Sequence, residues 1–287
     1  MTVRLVDRRP HLGADELLAR LHPPARFAGA RFETYLPDRA HPSQAAARAE
    51  LERFAGAIAG EPSRATRRGL LRRTSRHAAP AGRPARYLDG GYGVGKTHLL
   101  AAAWHAVQPS PAAYLTFGEL TALVGSLGMQ SAARSFSGFR LLCVDEFELD
   151  DVANTLMLVT FLRGVIAAGV AVAATSNAIP DRLGEGRFNA DDFTREIAAI
   201  AAHFETVRID GEDYRRRGGV VVDPMPDERI APFVAAAGPA TSVDDATALL
   251  GHLRVVPPAQ LAALLDGIDT VVLRDLRPIT NQGTALL

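Results

Sequence analysis

Residues 90–97 restrict the possible fold more than any other part of the sequence. They read Gly90-Gly91-Tyr92-Gly93-Val94-Gly95-Lys96-Thr97, which fits the pattern G-x-x-x-x-G-K-S/T of a phosphate-binding loop. Glycines allow backbone N–H groups to approach phosphate oxygens without a Cβ in the way. Lys96 would reach the β- and γ-phosphates, and the Thr97 hydroxyl would contribute to a Mg²⁺ site. The loop therefore predicts binding of a nucleoside triphosphate.

The residues on both sides of this loop support the interpretation. An apolar-leaning stretch at 85–88 predicts a strand before the loop, and residues 97–107 are rich in helix formers. This order places the phosphates at a helix N-terminus, where the helix dipole favours anions. The 32 basic residues include a single lysine, Lys96, and all the others are arginine. A guanidinium does not replace a compact ammonium between phosphates, so the single lysine favours a functional loop over a chance match.

A pair of acids follows a second apolar run further along the chain. Residues 141–144 predict a strand that is buried on both faces of a parallel sheet, and Asp145 and Glu146 come directly after it. In a phosphate-loop fold, Asp145 would hold Mg²⁺ and Glu146 would polarise the attacking water. The alternative is that the acids cap a helix, because the acidic run continues beyond them. A strand and a helix between the loop and the acids favour the catalytic interpretation.

Further strands and helices alternate along the chain. We expect strands at 112–117, 169–174 and 205–209, and helices at 118–125, 151–165 and 191–203. This alternation predicts right-handed βαβ units and a parallel sheet. The expected fold class is therefore α/β, with a five-stranded parallel sheet flanked by helices and small N- and C-terminal extensions.

A polar segment ends the strand at 169–174. It reads Thr175-Ser176-Asn177, and a polar side chain there would contact the γ-phosphate or the attacking water. The same residues before Pro180 also suit an ordinary turn.

We expect three regions along the chain. Residues 1–83 form an N-terminal helical region with a basic linker, residues 84–217 form the nucleotide-binding core, and residues 218–287 form a C-terminal extension. In the first region we expect helices at 15–21 and 44–54, the second with Ser43 as its N-cap. In the last region, residues 223–244 resemble a linker or an edge excursion. Short strands at 254–256 and 270–273 surround a helix near 258–265.

Residues 63–86 are strongly basic, with eight arginines and no acid. Such a segment suits a nucleic-acid or membrane-surface patch, but also a solvated linker or connecting helix. No aromatic residues are interleaved to stack on bases, which favours the linker. The formal net charge of the whole chain is zero, so no global field directs it to nucleic acid or acidic membranes.

The remaining sequence features are typical of a cytoplasmic protein. A single cysteine, Cys143, excludes an intramolecular disulfide and fits a reducing compartment. The first ten residues lack the apolar core of a secretory signal. The longest apolar run, at 164–174, is too short to span a bilayer.

From residue 32 to residue 278 the chain resembles the ZapE family of cell-division AAA+ ATPases, which has mitochondrial relatives. Four segments carry the resemblance: 87–97, Leu142-Cys143-Val144-Asp145-Glu146-Phe147-Glu148-Leu149-Asp150-Asp151, Ala174-Thr175-Ser176-Asn177, and Ile209-Asp210-Gly211-Glu212-Asp213-Tyr214-Arg215. The resemblance implies an AAA+ fold with strand order 5-1-4-3-2, and ATP with Mg²⁺ as the bound species. It also implies that Asn177 senses the γ-phosphate. Assembly into a homo-oligomeric ring is implied too, in which a neighbour's arginine completes each site. Arg187 is the best match to that arginine, and Arg195 is the reserve.

The implied activity is ATP hydrolysis at an acid anhydride bond, coupled to remodelling of a protein partner, the division-ring protein FtsZ. The implied location is the cytoplasm, with peripheral contact at the inner membrane face. The expected catalytic residues are Lys96, Glu146, Asn177 and Arg187, and the expected metal ligands are Thr97 and Asp145. Two departures from the family stand out. Family members continue beyond the position of Leu287, so we expect 218–287 to be incomplete, and 223–244 matches poorly.

Two other functions stay open at this point. A helicase-loader-like ATPase would share the same core and would use the segment from Arg64 to Arg86 to bind DNA. A nucleotide-gated binding switch would hold ATP with little turnover and act by changing shape.

Overall fold

The structure is a computed structural model. It describes residues 3–10, 13–60, 84–147, 152–176, 201–213, 225–236, 238–256 and 260–275 of the 287-residue chain. The chain divides into two compact units. The larger is Ala14–Gly218, and the smaller combines Met1–Gly13 with Gly219–Leu287.

The larger unit is built on a five-stranded sheet in which all neighbouring strands run parallel. The strands are β1 (Ala85–Gly90), β2 (Ala112–Thr116), β3 (Leu141–Asp145), β4 (Ala171–Ser176) and β5 (Phe204–Ile209). Their spatial order is β2-β3-β4-β1-β5, so the expected order 5-1-4-3-2 is confirmed. The order places β3 between β2 and β4, which brings the ends of these three strands to one edge of the sheet.

Helices of the larger unit connect and cover these strands. They are α1 (Ala14–Ala19), α2 (Pro42–Gly60), α3 (Lys96–Val107), α4 (Phe117–Leu127), α5 (Met129–Ser135) and α6 (Val152–Ala167), with a 3-10 turn at Ala25–Phe27. Every side chain of β3 and β4 is buried, as expected for central strands covered on both faces. The core cluster joins strand residues such as Leu88 and Cys143 to Leu51 of α2 and Leu99 of α3.

A buried ion pair ties α2 to β1. The Arg86 guanidinium lies 2.7 Å from Glu50 Oε1 and 3.2 Å from Glu205 Oε2. It also lies 4.6 Å from the centre of the Phe54 ring. Arg86 therefore points into the protein, although the sequence grouped it with a basic surface segment. The other arginines of that segment lie outside the described residues.

The start of α2 differs from the expectation. The helix begins at Pro42, which suits a first helical position because proline lacks the N–H that would have no partner there. Ser43 is therefore inside the first turn and is not the N-cap. Its hydroxyl instead accepts a hydrogen bond from the Asp210 N–H at 2.9 Å. Gln44 donates to the Asp210 carbonyl at 2.9 Å and accepts from the Asp38 N–H at 2.8 Å.

The smaller unit contains a parallel pair of strands and short helices. Its elements are a 3-10 turn (Leu5–Asp7), α7 (Asp227–Ala235), β6 (Thr241–Asp245), α8 (Ala246–Leu253), α9 (Leu261–Leu264) and β7 (Thr270–Arg274). The buried Asp244 carboxylate accepts hydrogen bonds from the N–H groups of Leu5 and Val6 at 3.0 and 3.1 Å. These bonds tie the start of the chain to this unit.

Two expectations for this region were wrong. Residues 223–244 are not a linker throughout, because α7 and most of β6 fall within them. Residues 254–256 are not a strand: they form the turn after α8, where the Val255 and Val256 N–H groups donate to the His252 carbonyl. The strand expected at 270–273 is confirmed as β7. Across the described ranges of both units, no helix combines the length and apolar character needed to cross a bilayer.

Replacing Arg86 by methionine should lower the free energy of unfolding by about 3 kcal/mol, because the buried Glu50 carboxylate loses its buried partner. Urea denaturation would measure the loss. Arg53→Met is the matched control, since Arg53 pairs with the same carboxylate but is 72% exposed. That change should cost less than about 1 kcal/mol. Equal losses in the two variants would contradict the buried pair as the link between α2 and the sheet.

Candidate nucleotide-binding site

The phosphate loop connects the end of β1 to the start of α3. Gly93 and Gly95 have φ angles of +68° and +90°, a left-handed conformation that residues with a Cβ rarely adopt. Gly95 is the N-cap of α3, so the loop leads directly into the first turn of that helix. The backbone N–H groups in the first turn of a helix point toward its N-terminus, where together with the helix dipole they favour an anion.

Neighbouring segments leave no space for side chains on three glycines of the loop. A Cβ on Gly90 would collide with the Ile209 carbonyl, and one on Gly93 would collide with the Asp213 carboxylate. A Cβ on Gly95 would lie 2.5 Å from the Tyr35 ring. These glycines are therefore required for packing as well as for approach to phosphate.

Tyr35 supports the loop from the N-terminal segment. Its hydroxyl donates to the Val94 carbonyl at 2.9 Å, and its ring lies against Gly95. The residue is buried at 6% exposure, so this hydrogen bond is shielded from water. No feature of the sequence connected Tyr35 with the loop.

Lys96 lies within the loop, as expected. Its ammonium donates to the carbonyl oxygens of Gly90 and Gly91 at 2.8 and 2.7 Å. The only lysine of the sequence is thereby held at the site where phosphates would bind. A positive charge at this position favours an anionic ligand.

Asp145 accepts hydrogen bonds from three hydroxyl groups. Its Oδ1 accepts from Thr97 at 3.3 Å and from Thr175 at 2.5 Å, and its Oδ2 accepts from Tyr114 at 2.7 Å. Burial, and secondly the charge of Asp145, raises the pKa of the Tyr114 hydroxyl well above its usual value, which keeps it a donor. The structure therefore brings together Thr97 and Asp145, which are far apart in the sequence.

The pair formed by Thr97 and Asp145 fits a Mg²⁺ ion chemically. A hydroxyl and a carboxylate supply hard oxygen ligands, and Mg²⁺ characteristically binds one or two protein groups together with phosphates and waters. Over the described part of the chain, no cluster of three or more His, Cys, Asp or Glu side chains offers another metal site. The histidines of α3 have structural contacts instead: His98 lies 3.0 Å from the Arg31 carbonyl and His105 lies 3.1 Å from the Phe27 carbonyl.

Glu146 differs from its neighbour in both backbone conformation and exposure. It has a φ of +55°, in the left-handed region, and its side chain is exposed, whereas Asp145 is 4% exposed. Thr175 stabilises this turn, because its hydroxyl accepts from the Glu146 N–H at 3.0 Å and its carbonyl accepts from the Phe147 N–H at 2.7 Å. A residue in this conformation stores strain, as is common at functional sites. The two adjacent acids are thereby directed to different environments.

Some residues expected at the site cannot be placed. Asn177, Arg187 and the reserve Arg195 lie outside the described residues, as do Glu148, Asp150 and Asp151. Conversely, the structure adds residues that the sequence had not assigned to the site: Tyr35, Tyr114, Thr175 and Asp213. Of these, Thr175 could have been recognised from the sequence, because it begins the polar segment Thr175-Ser176-Asn177.

These features together define the class of protein. A parallel sheet of order 5-1-4-3-2, a phosphate loop after β1 and an acidic pair after β3 are the features of an AAA+ P-loop ATPase, and the expected fold class is confirmed. The model of the AFG1-like ATPase family matches residues 18–220, and the chain belongs to this family.

Two named relatives are similar to parts of the chain. Cell division protein ZapE of Escherichia coli strain K12 is 32% identical over 142 residues, which is 46% of this chain and 38% of the relative. Lactation elevated protein 1 homolog B of Danio rerio is 33% identical over 78 residues, which is 27% of this chain and 16% of the relative. The matched region thus spans less than half the length of either relative.

Solved structures with a similar chain trace include two crystal structures. That of DnaI has a TM-score of 0.49 and 18% identity, covering 69% of this chain and 99% of the solved chain. That of the DnaC helicase loader has a TM-score of 0.44 and 14% identity, covering 65% of this chain and 99% of the solved chain.

Replacing Tyr35 by phenylalanine should weaken nucleotide binding about fivefold, because the loop loses the hydrogen bond that holds the Val94 carbonyl, worth about 1 kcal/mol. Titration with a fluorescent ADP analogue would measure the dissociation constant. Wild-type affinity in a folded Tyr35→Phe protein would show that this hydrogen bond does not shape the loop.

Proposed function

We propose that this protein is a Mg²⁺-dependent ATPase that couples ATP hydrolysis to remodelling of a protein partner. The observation that carries the proposal is the contact between the Thr97 hydroxyl and the Asp145 carboxylate, 3.3 Å apart, beside the phosphate loop. A hydroxyl at the start of the first helix and an acid at the end of a neighbouring strand are the pair that holds Mg²⁺ in phosphate-loop ATPases. Membership of the AFG1-like ATPase family supports the same reaction.

The loop residues bind the triphosphate. Backbone N–H groups of residues 90–97 surround the phosphates, and the Lys96 ammonium leaves the Gly90 and Gly91 carbonyls to contact the β- and γ-phosphates. When bound at Thr97 and Asp145, Mg²⁺ neutralises charge that develops on the phosphates. These groups stabilise the transition state electrostatically.

Glu146 activates the water. It is exposed and directly follows the buried Asp145, and a carboxylate at this position can act as a general base for the attacking water. Water oxygen forms a bond to the γ-phosphorus, the bond to the bridging β–γ oxygen breaks, and Glu146 takes the proton of the water. Asn177 positions that water, and Arg187 of a neighbouring copy, or Arg195 in its place, stabilises the charge on the γ-phosphate.

The proposed partner rests on the resemblance to the ZapE family. A relative bears the name cell division protein, and we propose that this chain acts on the division-ring protein FtsZ. It would do so as a ring of identical subunits in the cytoplasm, at the inner membrane face. Arg86 does not support the DNA-binding alternative, because its side chain is buried in an ion pair with Glu50 and is not exposed to contact DNA.

Replacing Glu146 by glutamine should lower ATP turnover at least about 100-fold, because the amide cannot accept the proton of the attacking water. Affinity for ATP should stay within about twofold, since the phosphate loop is unchanged. Steady-state phosphate release and nucleotide titration would measure the two quantities. Unchanged ATP turnover in this variant would contradict the assignment of Glu146 as the general base.

The partner is tested by measuring ATP turnover alone, with FtsZ and with DNA. We expect FtsZ to stimulate turnover of the wild-type protein, and Glu146→Gln to remove the stimulation. Stimulation by DNA with a steep salt dependence would instead favour a helicase-loader-like role. ATP binding with negligible turnover under all three conditions would favour a nucleotide-gated switch.

A further inference from the structure

Tyr114 is a buried tyrosine that the proposed reaction does not use. It lies on β2, the edge strand next to β3, and is 1% exposed. In the strand register it pairs with Cys143, but its hydroxyl reaches along β3 to Asp145 and donates to Oδ2 at 2.7 Å. A buried phenol that is hydrogen bonded to a buried carboxylate has a defined orientation, because another rotamer would lose this hydrogen bond inside the protein.

Thr175 holds the same carboxylate from the opposite side. It lies on β4, the other neighbour of β3, and its hydroxyl donates to Asp145 Oδ1. That hydroxyl also accepts from the Glu146 N–H, so its own orientation is fixed. The Asp145 carboxylate is therefore held between two strands, with Oδ2 turned toward Tyr114 and Oδ1 turned toward Thr97.

We propose that Tyr114 and Thr175 are positioning residues that fix the Asp145 carboxylate for Mg²⁺ and thereby set the selectivity for this ion. The proposal rests on the proposed role of Thr97 and Asp145 as the Mg²⁺ site. Groups that orient a metal ligand commonly change metal affinity 10–100-fold when they are removed. Here both neighbours are hydroxyl donors, and their two hydrogen bonds restrict the rotation of the carboxylate.

Selectivity follows from the different demands of divalent cations. Mg²⁺ requires near-ideal octahedral geometry at short distances, whereas Ca²⁺ accepts variable geometry and carboxylates that bind through both oxygens. A carboxylate with Oδ2 engaged by Tyr114 presents Oδ1 beside Thr97. Without the phenol hydroxyl, Oδ2 is released and the carboxylate can rotate. That change harms Mg²⁺ binding more than Ca²⁺ binding.

The experiment titrates Mg²⁺ and Ca²⁺ into the full chain with a fluorescent ADP analogue bound. Tyr114→Phe should raise the Mg²⁺ concentration at the midpoint about 10- to 100-fold, raise the Ca²⁺ midpoint less, and leave metal-free nucleotide affinity within about twofold. Tyr87→Phe is the matched control. Tyr87 is also a buried strand tyrosine, 1% exposed, but its hydroxyl is hydrogen bonded to Ser176 and not to Asp145. The Mg²⁺ and Ca²⁺ midpoints of the Tyr87→Phe protein should equal those of the wild type.

A second pair of variants tests the other neighbour and remains available if Tyr114→Phe does not fold. Thr175→Val should raise the Mg²⁺ midpoint in the same way. Thr175→Ser should have the wild-type midpoint, because serine keeps the hydroxyl donor. A folded Tyr114→Phe or Thr175→Val protein with the wild-type Mg²⁺ midpoint and Mg²⁺-to-Ca²⁺ ratio would overturn the proposal. Failure of the proposed function would appear separately, as wild-type protein that hydrolyses ATP without a divalent cation or does not hydrolyse it.

Discussion

The close packing around the phosphate loop is the constraint on which the rest of the larger unit depends. Gly90, Gly93 and Gly95 are in contact with Ile209, Asp213 and Tyr35, which come from two separate parts of the chain: the N-terminal segment and the end of β5 with the residues after it. The loop can hold its left-handed turns only when the N-terminal segment, β1 and the end of β5 have come together. The conformation of the phosphate loop therefore depends on packing against the sheet and the N-terminal segment, and not on residues 90–97 alone.

Hydrogen bonding between strand ends organises the second half of the site in a similar way. Asp145 and Glu146 are adjacent in sequence, yet one is buried among hydroxyl groups and the other is exposed after a left-handed turn. Thr175 produces both outcomes, because its hydroxyl contacts the Asp145 carboxylate and the Glu146 N–H. In the proposed reaction, the different environments would suit one carboxylate to hold a cation and the other to accept a proton.

The sequence predicted the sheet, its strand order and the meeting of Thr97 with Asp145, because apolar runs, glycine spacing and the family resemblance all pointed to one fold. It did not predict Tyr35, Tyr114 or Asp213 at the site, since their contacts depend on the direction of single side chains and on the packing of segments outside the sheet, which the strand order does not determine. Ser43 was misinterpreted because a serine before a helical pattern suggests a cap, whereas Pro42 already begins the helix. Val255 and Val256 suggested a strand, but their N–H groups bond to the preceding helix.

The side chain of Gln44 links two segments of the larger unit. One end accepts from Asp38 and the other donates to Asp210, so the segment before α2 and the segment after β5 are fastened by a single short side chain. Asp213, three residues beyond Asp210, lies over Gly93. Residues 210–213 therefore contact both the first turn of α2 and the phosphate loop, so one short segment connects the position of that helix with the shape of the loop.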